Sequence, residues 1–303
     1  MLLSVLLSVY NGKTYLRECI HSIIGQKYED WELILINDGS VDGTQEIIDE
    51  FDDPRIRKFT QSNKGLAFSL NRAAKEARGE VLVRQDADDI SEPNRLAKIA
   101  ETFRDSDECI LLASNATVVD DRGKTLFERQ TAKIKEEAIR QILRIENPFV
   151  HGTLAYRAKS FRNWNGYDVN YPTSQDFDFI VRALSQSSLR VIDEPLYKLR
   201  LHPESVTSRK SWRQILYLNK FCKTIKTYLG ERVPLKSRCL FFTSRFFIFI
   251  YFSRLNRKSV YYYQIGSILA HKGHKSKSIE FYNHSIKYSC FNMPALVKKY
   301  LHN

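Results

Sequence analysis

Glu80-Val-Leu-Val-Arg-Gln-Asp-Ala-Asp-Asp89 is the stretch that decides how this chain folds. Its first half, Glu80 to Gln85, has the composition of a buried strand, and a helix is expected to open just beyond it at Pro93. In extended chain, residues two apart point the same way, so Asp86 and Asp88 can face one site. Two carboxylates held together repel unless a cation sits between them, and hard oxygen ligands suit Mg²⁺ or Mn²⁺. A divalent ion at a strand end is one way to hold a diphosphate. A solvated acidic loop is the plainer alternative. A calcium loop is excluded further on: Ile90 holds its fifth position, Ser91 replaces the turn glycine and Ala97 replaces the closing glutamate.

Outward from this stretch the chain alternates strand and helix in the manner of an open α/β sheet. Leu3–Val9 reads as a first strand, followed by a helix from about Thr14 with Leu16, Ile20, Ile23 and Ile24 at helical spacing. Trp31–Ile36 reads as a second strand ending in Asn37-Asp38-Gly39-Ser40, with Thr44 placed to cap the next helix. A short strand over Arg55–Thr60 leads through Asn63-Lys64-Gly65 into an alanine-rich helix that ends near Gly79. Ligands of open α/β sheets bind beyond the carboxyl ends of the strands, where Asp38 and the Asp86/Asp88 pair both fall. Past Pro93 the pattern loosens to a strand near Ile110–Ser114, a helix near Lys135–Ile145 and a strand near Thr153–Tyr156. Ser174-Gln175-Asp176-Phe177-Asp178-Phe179 then opens a helix through Leu184, and its acidic start suits the helix dipole.

The 303 residues allow one large domain or two smaller ones. Cys19, Cys109, Cys222, Cys239 and Cys290 are odd in number and contain no Cys-x-x-Cys pair. That points to a reducing compartment and away from a disulfide framework or a zinc site. Met1–Val9 has no basic n-region and no cleavage site, so a buried strand is expected there and not a signal peptide. The net charge of +12 hides a division. Residues 1–208 carry 28 Lys+Arg against 33 Asp+Glu, a net of −5, whereas residues 209–303 carry 19 against 2, a net of +17. A domain boundary is expected near Thr207-Ser208, with different partners on its two sides.

Seven motifs in order resemble glycosyltransferase family 2, whose members invert configuration and use a GT-A nucleotide-sugar fold, an open mixed sheet flanked by helices. They are Ser4 to Asn11; Trp31 to Ser40 with Asp42 and Thr44; Asn63-Lys64-Gly65; Asp86-Ala87-Asp88-Asp89 with Pro93 and Leu96; His151-Gly152-Thr153; Gln175-Asp176-Phe177-Asp178 with Arg182; and Tyr197 to His202 with Ser205. The resemblance covers about residues 3–207. It implies that Asp38 accepts a hydrogen bond from the imide of a uracil base, with Tyr10 and Asn11 beside the nucleotide. It further implies that Asp86 lies near ribose and base, that Asp88 ligates Mn²⁺ or Mg²⁺, and that Asp176 is the catalytic base. Gln175 departs from the family's usual Glu and removes a charge beside that base. His202 resembles the family's late histidine, which in some members completes the metal site; Arg200 could instead face the diphosphate. His151 and Gly152 would form the floor of the donor-sugar pocket, glycine permitting close approach.

The activity so implied is metal-dependent sugar transfer from a nucleotide-sugar, expected to be a UDP-sugar, to a hydroxyl of a glycan or lipid-linked glycan, in cell-surface polysaccharide or lipid-linked glycan synthesis. The alternatives are a nucleotidyltransferase, which would want a glycine-rich basic loop after the first strand, and a non-catalytic scaffold at a membrane, which would not need Asp176. A dinucleotide oxidoreductase is excluded, because Tyr10-Asn11-Gly12-Lys13 lacks the Gly-x-Gly-x-x-Gly turn. In the basic tail, Phe246 to Phe252 is an apolar run flanked by Arg238, Arg245, Arg254, Arg257 and Lys258. It is too short to span a bilayer and suits either a core helix or an interfacial helix. The surrounding charge favours an anionic membrane surface over nucleic acid, which places the protein in the cytoplasm, peripheral on the inner face of the membrane. Tyr262 to Leu296 resembles a single tetratricopeptide-like hairpin.

Overall fold

The computed structural model describes residues 1–105, 109–143, 147–171 and 173–205, together with residue 279. Two compact units partition the chain: residues 1–118, 128–200 and 220–232 form one, and residues 119–127, 201–219 and 233–303 the other. The boundary expected near Ser208, the apolar run at Phe246–Phe252 and the Tyr262–Leu296 hairpin all lie outside the described residues. Among the described residues no helix is long and apolar enough to cross a membrane.

The first unit is the expected open mixed sheet. Its early strands are β1 (Leu3–Val9), β2 (Trp31–Asn37), β3 (Ile56–Thr60) and β4 (Val81–Asp86), and β1 pairs in parallel with both β2 and β4. Every residue of β1 and β2 is buried, which is why both are mostly apolar without alternating, and two of their few polar residues, Ser4 and Glu32, hydrogen-bond each other. Helices α1 (Leu16–Ile24), α2 (Thr44–Asp49) and α3 (Leu66–Glu76) connect them. Leu16, Cys19, Ile20 and Ile23 of α1 join Leu3, Val5, Leu7 and Val9 of β1 in one core, and α3 packs on β1 and β2.

The later elements are β5 (Ile90–Ser91), α4 (Arg95–Arg104), β6 (Cys109–Val119), β7 (Thr125–Arg129), α5 (Glu136–Ile142), β8 (Ala155–Arg157), α6 (Ala158–Asn163), α7 (Gln175–Leu184) and β9 (Ser188–Arg200). The strand order β3-β2-β1-β4-β8-β6-β9-β5 changes direction at β4, to which β8 adds antiparallel. Strands β2 and β3 are added on one side of β1 and β4 on the other, all parallel, so β1 is the point where the order of the strands reverses and where open α/β sheets form a crevice beyond the carboxyl ends.

Three local expectations are corrected. Asp88 does not continue strand β4: the chain turns after Asp86, with Asp89 N–H donating to Asp86 O at 3.3 Å, so a turn and not strand alternation brings the carboxylates together. Thr44 is the first residue of α2, not its cap; Gly43, at φ 87°, precedes it, and the Thr44 hydroxyl accepts from Gly12 N–H at 3.0 Å. Helix α4 begins at Arg95 after Asn94, two residues past Pro93, because Glu92 first pairs with β9 through its N–H to Leu196 O. In the second unit, Asp120 N–H donates to Lys124 O and Gly123 takes φ 82°, a turn leading into β7.

Candidate active site

The loops after β1 and β2 are laced together by hydrogen bonds to backbone. Asn11, at φ 51°, donates its N–H to Ser40 Oγ at 2.9 Å and accepts from Val41 N–H on Oδ1 at 2.9 Å. Lys13 N–H reaches Asp42 Oδ2 at 3.3 Å. Tyr10, immediately before, stands 52% exposed beside this seam. Asp38 is buried, and its carboxylate accepts from Gln61 Nε2 at 2.7 Å, Lys64 N–H at 2.9 Å and Gly65 N–H at 2.9 Å. It thus fixes the loop entering α3. An ionised carboxylate has about four acceptor positions, so one on Oδ2 stays available to a ligand donor.

At the end of β4 lies a denser arrangement of charge. Arg84 is fully buried, and its guanidinium donates to Asp86 Oδ1 and to Gln85 O, while its Nε has no partner. Burial, with the charges of Asp88 and Asp176 adding to it, holds the Asp86 carboxyl above the ordinary range despite Arg84. Asp89 is buried, and burial followed by Asp88 and Asp86 pushes its carboxyl well up; its Oδ1 accepts from Arg200 N–H at 2.7 Å. The Arg200 side chain continues this clamp, donating to Asp88 O at 3.1 Å and to Glu18 Oε2 at 2.6 Å and lying 4.7 Å from the Tyr15 ring. Arg200 therefore braces the acidic turn from behind.

A second buried arginine, Arg95, ties the same strand end to its neighbours. It donates to Gln85 Oε1 and Ser91 Oγ, both at 2.8 Å, to Arg84 O at 2.7 Å and to Gly152 O at 2.5 Å. Burial lowers its guanidinium to about 10. Gly152 was expected to admit a ligand closely; the close approach is instead to Tyr197, whose hydroxyl lies 2.0 Å from where a Cβ would stand. That hydroxyl accepts from Asp86 N–H at 3.1 Å.

His151 hydrogen-bonds through Nε2 to the Tyr167 hydroxyl at 2.8 Å, and Tyr167 meets the Tyr156 hydroxyl at 3.1 Å. Burial and the Arg84 charge hold the imidazole well below its usual pKa, so it is neutral. Asp176 opens α7, its Oδ2 accepting from Asn147 Nδ2 at 2.8 Å, and burial raises its carboxyl. Asp178 is occupied by Arg182 at 2.7 Å, which itself anchors on Trp164 O and Gly166 O, so it serves the helix. His202 belongs to the second unit, where it is buried and its carbonyl accepts from Ser205 N–H.

The structure therefore brings together Asp86, Asp88, Asp89, Asp176 and Arg84 electrostatically around the end of β4, with His151 near Arg84. Tyr10, Asn11 and Asp38 gather on the neighbouring loops. Among the described residues no set of three or more His, Cys, Asp and Glu is gathered to hold a metal by itself. Asp86 and Asp88 are hard oxygen donors that repel one another, Arg84 pairing with the first, and divalent ions are commonly held by one or two carboxylates plus substrate phosphates. The donor set fits an ion completed by its ligand and not a protein cage. The parts that Arg84, Arg95, Asn147, Tyr156 and Tyr167 play here have no motif in the sequence. A charged side chain directly after the apolar run Val81-Leu-Val83, still within the strand, is the available signal for Arg84.

The glycosyl transferase family 2 profile matches residues 4–164. EpsE of Bacillus subtilis (strain 168), a glycosyltransferase by name, is 30% identical over 240 residues, spanning 76% of this chain and 85% of EpsE. Residues 1–349 of S. aureus TarS, solved in complex with UDP-GlcNAc, superpose with a TM-score of 0.60 at 16% identity, covering 100% of this chain and 89% of that one. The mannosyltransferase PcManGT from Pyrobaculum calidifontis, solved with GDP-Man and Mn²⁺, superposes at 0.55 and 16% identity, covering 99% and 84%. The open sheet and its flanking helices are thus those of the GT-A fold.

Proposed function

This chain belongs to glycosyltransferase family 2, and from that premise we propose that it transfers a sugar from a UDP-sugar to a hydroxyl acceptor with inversion, aided by Mn²⁺ or Mg²⁺. The observation that carries the reading is the meeting of Asp86, Asp88 and Asp176 about the end of β4. Burial raises both Asp86 and Asp176, but Arg84 pairs with the first while Asn147 donates to the second.

Asp176 is the base. Its carboxylate, steadied by Asn147, takes the proton of the acceptor hydroxyl as that oxygen bonds to the anomeric carbon. The bond from that carbon to the diphosphate breaks on the opposite face, and its electron pair leaves with UDP. Asp38 and Asn11 hold the base side of the nucleotide, with Tyr10 offering a ring to stack on it, and Asp86 meets the ribose. Asp88 would hold the ion, which when bound neutralises charge growing on the leaving diphosphate. By resemblance alone, His202 is a second candidate ligand. His151, neutral and fixed by Tyr167, lies toward the donor sugar. Arg200 acts on the site through the Asp88 carbonyl.

Residues 209–303, with their charge of +17, are read as a second region that draws the protein to the inner face of an anionic membrane, where a lipid-linked or surface-polysaccharide acceptor would be found. Purified protein offered a panel of nucleotide-sugars should hydrolyse or transfer from a UDP-sugar in Mn²⁺ and lose that activity on Asp88→Asn. Full activity in excess EDTA would remove the metal, and a preference for a GDP- or TDP-sugar would remove the uracil assignment. Co-sedimentation with anionic vesicles at low salt, weakening at high salt and absent from a chain ending near Ser208, tests the membrane reading; a protein that stays in the supernatant at low salt overturns it.

A further inference from the structure

Arg84 is a fully buried charged group of the first unit that the reaction just described leaves unused. Its side chain lies toward the carboxyl end of β4, and a buried arginine carries a heavy desolvation cost. The neighbouring Arg95 shows what a structural arginine does here: its two Nη atoms serve four acceptors drawn from three segments. Arg84 makes no such network. Among its described contacts the side chain reaches only Gln85 O and the Asp86 carboxylate, and its Nε is left without an acceptor. Around it stand Tyr156, Tyr167 and Tyr197, neutral His151, the second cation Arg95 and the carboxylate of Asp176. Asp86 is consequently gripped from two directions, by the guanidinium on Oδ1 and by Tyr197 on its backbone N–H.

We propose that Arg84 is a positioning residue for sugar transfer: its guanidinium holds Asp86 in the orientation that meets the donor. The proposal rests on the UDP-sugar reading above. It assigns Arg84 no contact with substrate; Arg84 acts through Asp86. Lysine cannot replace it, since an ammonium lacks the planar fork that sets a carboxylate's direction.

The test is a double-mutant cycle on the full chain, with Arg84→Met, Asp86→Asn and the double variant, and Arg84→Lys alongside. Each is assayed for donor KM, kcat and UDP-binding stoichiometry. Arg84→Met is expected to raise donor KM and lower kcat, together by roughly ten- to hundredfold, the effect of losing one hydrogen bond to a charged group. In the Asp86→Asn background the same change should cost less than threefold, because the residue it acts through is already lost. Arg84→Lys should bind UDP one to one yet recover only part of kcat/KM. Multiplying effects in the double variant, or an Arg84→Lys protein as active as wild type, overturn the proposal. If Arg84→Met fails to fold, Arg84→Lys with full UDP stoichiometry still decides it. Wild-type turnover of a UDP-sugar is measured first; its absence defeats the underlying reading, whereas its presence with a multiplicative cycle defeats only the role of Arg84.

Discussion

The two sides of the crevice are built from different physics. On the β1/β2 side, Tyr10 and Asn11 are exposed, and Asn11 and Asp38 spend their side chains on backbone N–H groups of neighbouring loops. On the β4/α7 side, Arg84 and Asp89 are buried and Asp86, His151 and Asp176 half-buried; burial is the leading cause of the shifts of Asp86, Asp89, His151 and Asp176, whereas Arg84 is raised against its burial by Asp86. A nucleotide can be gripped in the presence of water when the loops that grip it are fixed beforehand. A bond-breaking step gains more from charges that have already lost their hydration, because the fields they exert are stronger and need no reorganisation.

The sharpest way to break this contrast is Asp176→Asn. Transfer should fall by roughly 10²–10⁴, the usual worth of a placed base, while UDP affinity by calorimetry stays near wild type. Collapse of affinity with persistent turnover of bound donor would move Asp176 to the binding side. Asp38→Ala should do the reverse. Losing a charged acceptor of three protein hydrogen bonds should cost about 2–3 kcal/mol in urea unfolding and weaken UDP binding, with kcat on saturating donor the least affected quantity. Unchanged stability would mean that the loop at 61–65 does not depend on Asp38.

Gly152→Ala probes the packing beneath the reactive side. Its Cβ would collide with the Tyr197 hydroxyl, and a loss of about 1–3 kcal/mol is expected from overpacking, with kcat reduced as the Tyr197 contact to Asp86 N–H is disturbed. Full stability and full kcat would show that Tyr197 moves aside freely. The smallest effect is on pH dependence. Burial raises the Asp176 carboxyl, and only its ionised form accepts a proton, so kcat should fall on acidification at a higher pH than an exposed aspartate would give. An acid limb within the ordinary carboxylate range would place a solvated group in that role.

The parallel half of the fold was legible because β1, β2 and β4 announce themselves as short apolar runs closed by polar turns. The antiparallel half was legible only in part: β6, β8 and α5 stand where strands near Ile110–Ser114 and Thr153–Tyr156 and a helix near Lys135–Ile145 are expected, and the rest was not. Strand β9 runs thirteen residues, Ser188–Arg200, but Asp193-Glu194-Pro195 interrupts its alternation, and its partners are distant in sequence. Helix α6 and strand β7 are too short to carry a period. At the site, Asp86, Asp88 and Asp176 could be picked out as acids at element ends. The tasks of Arg200 and Gly152 could not, since each depends on what packs against it: Asp88 and Glu18 for one, Tyr197 for the other. Arg84 looked like an ordinary strand residue until the carboxylates and phenols around it were in place.

The ring of phenols about Arg84 also sets how this protein meets alkali. Burial pushes Tyr156 up to about 12 and holds Tyr167 and Tyr197 well above the ordinary tyrosine value. A group whose folded value is raised favours folding fully below its unfolded value, near 10, and loses that contribution as pH climbs through the folded one. Three such groups in one core make the loss steep and shared. Phenolate absorbance from these tyrosines should therefore appear together with unfolding, as one event, after the exposed tyrosines have already titrated. The core of the reactive side would then be the first part of the fold to yield to base.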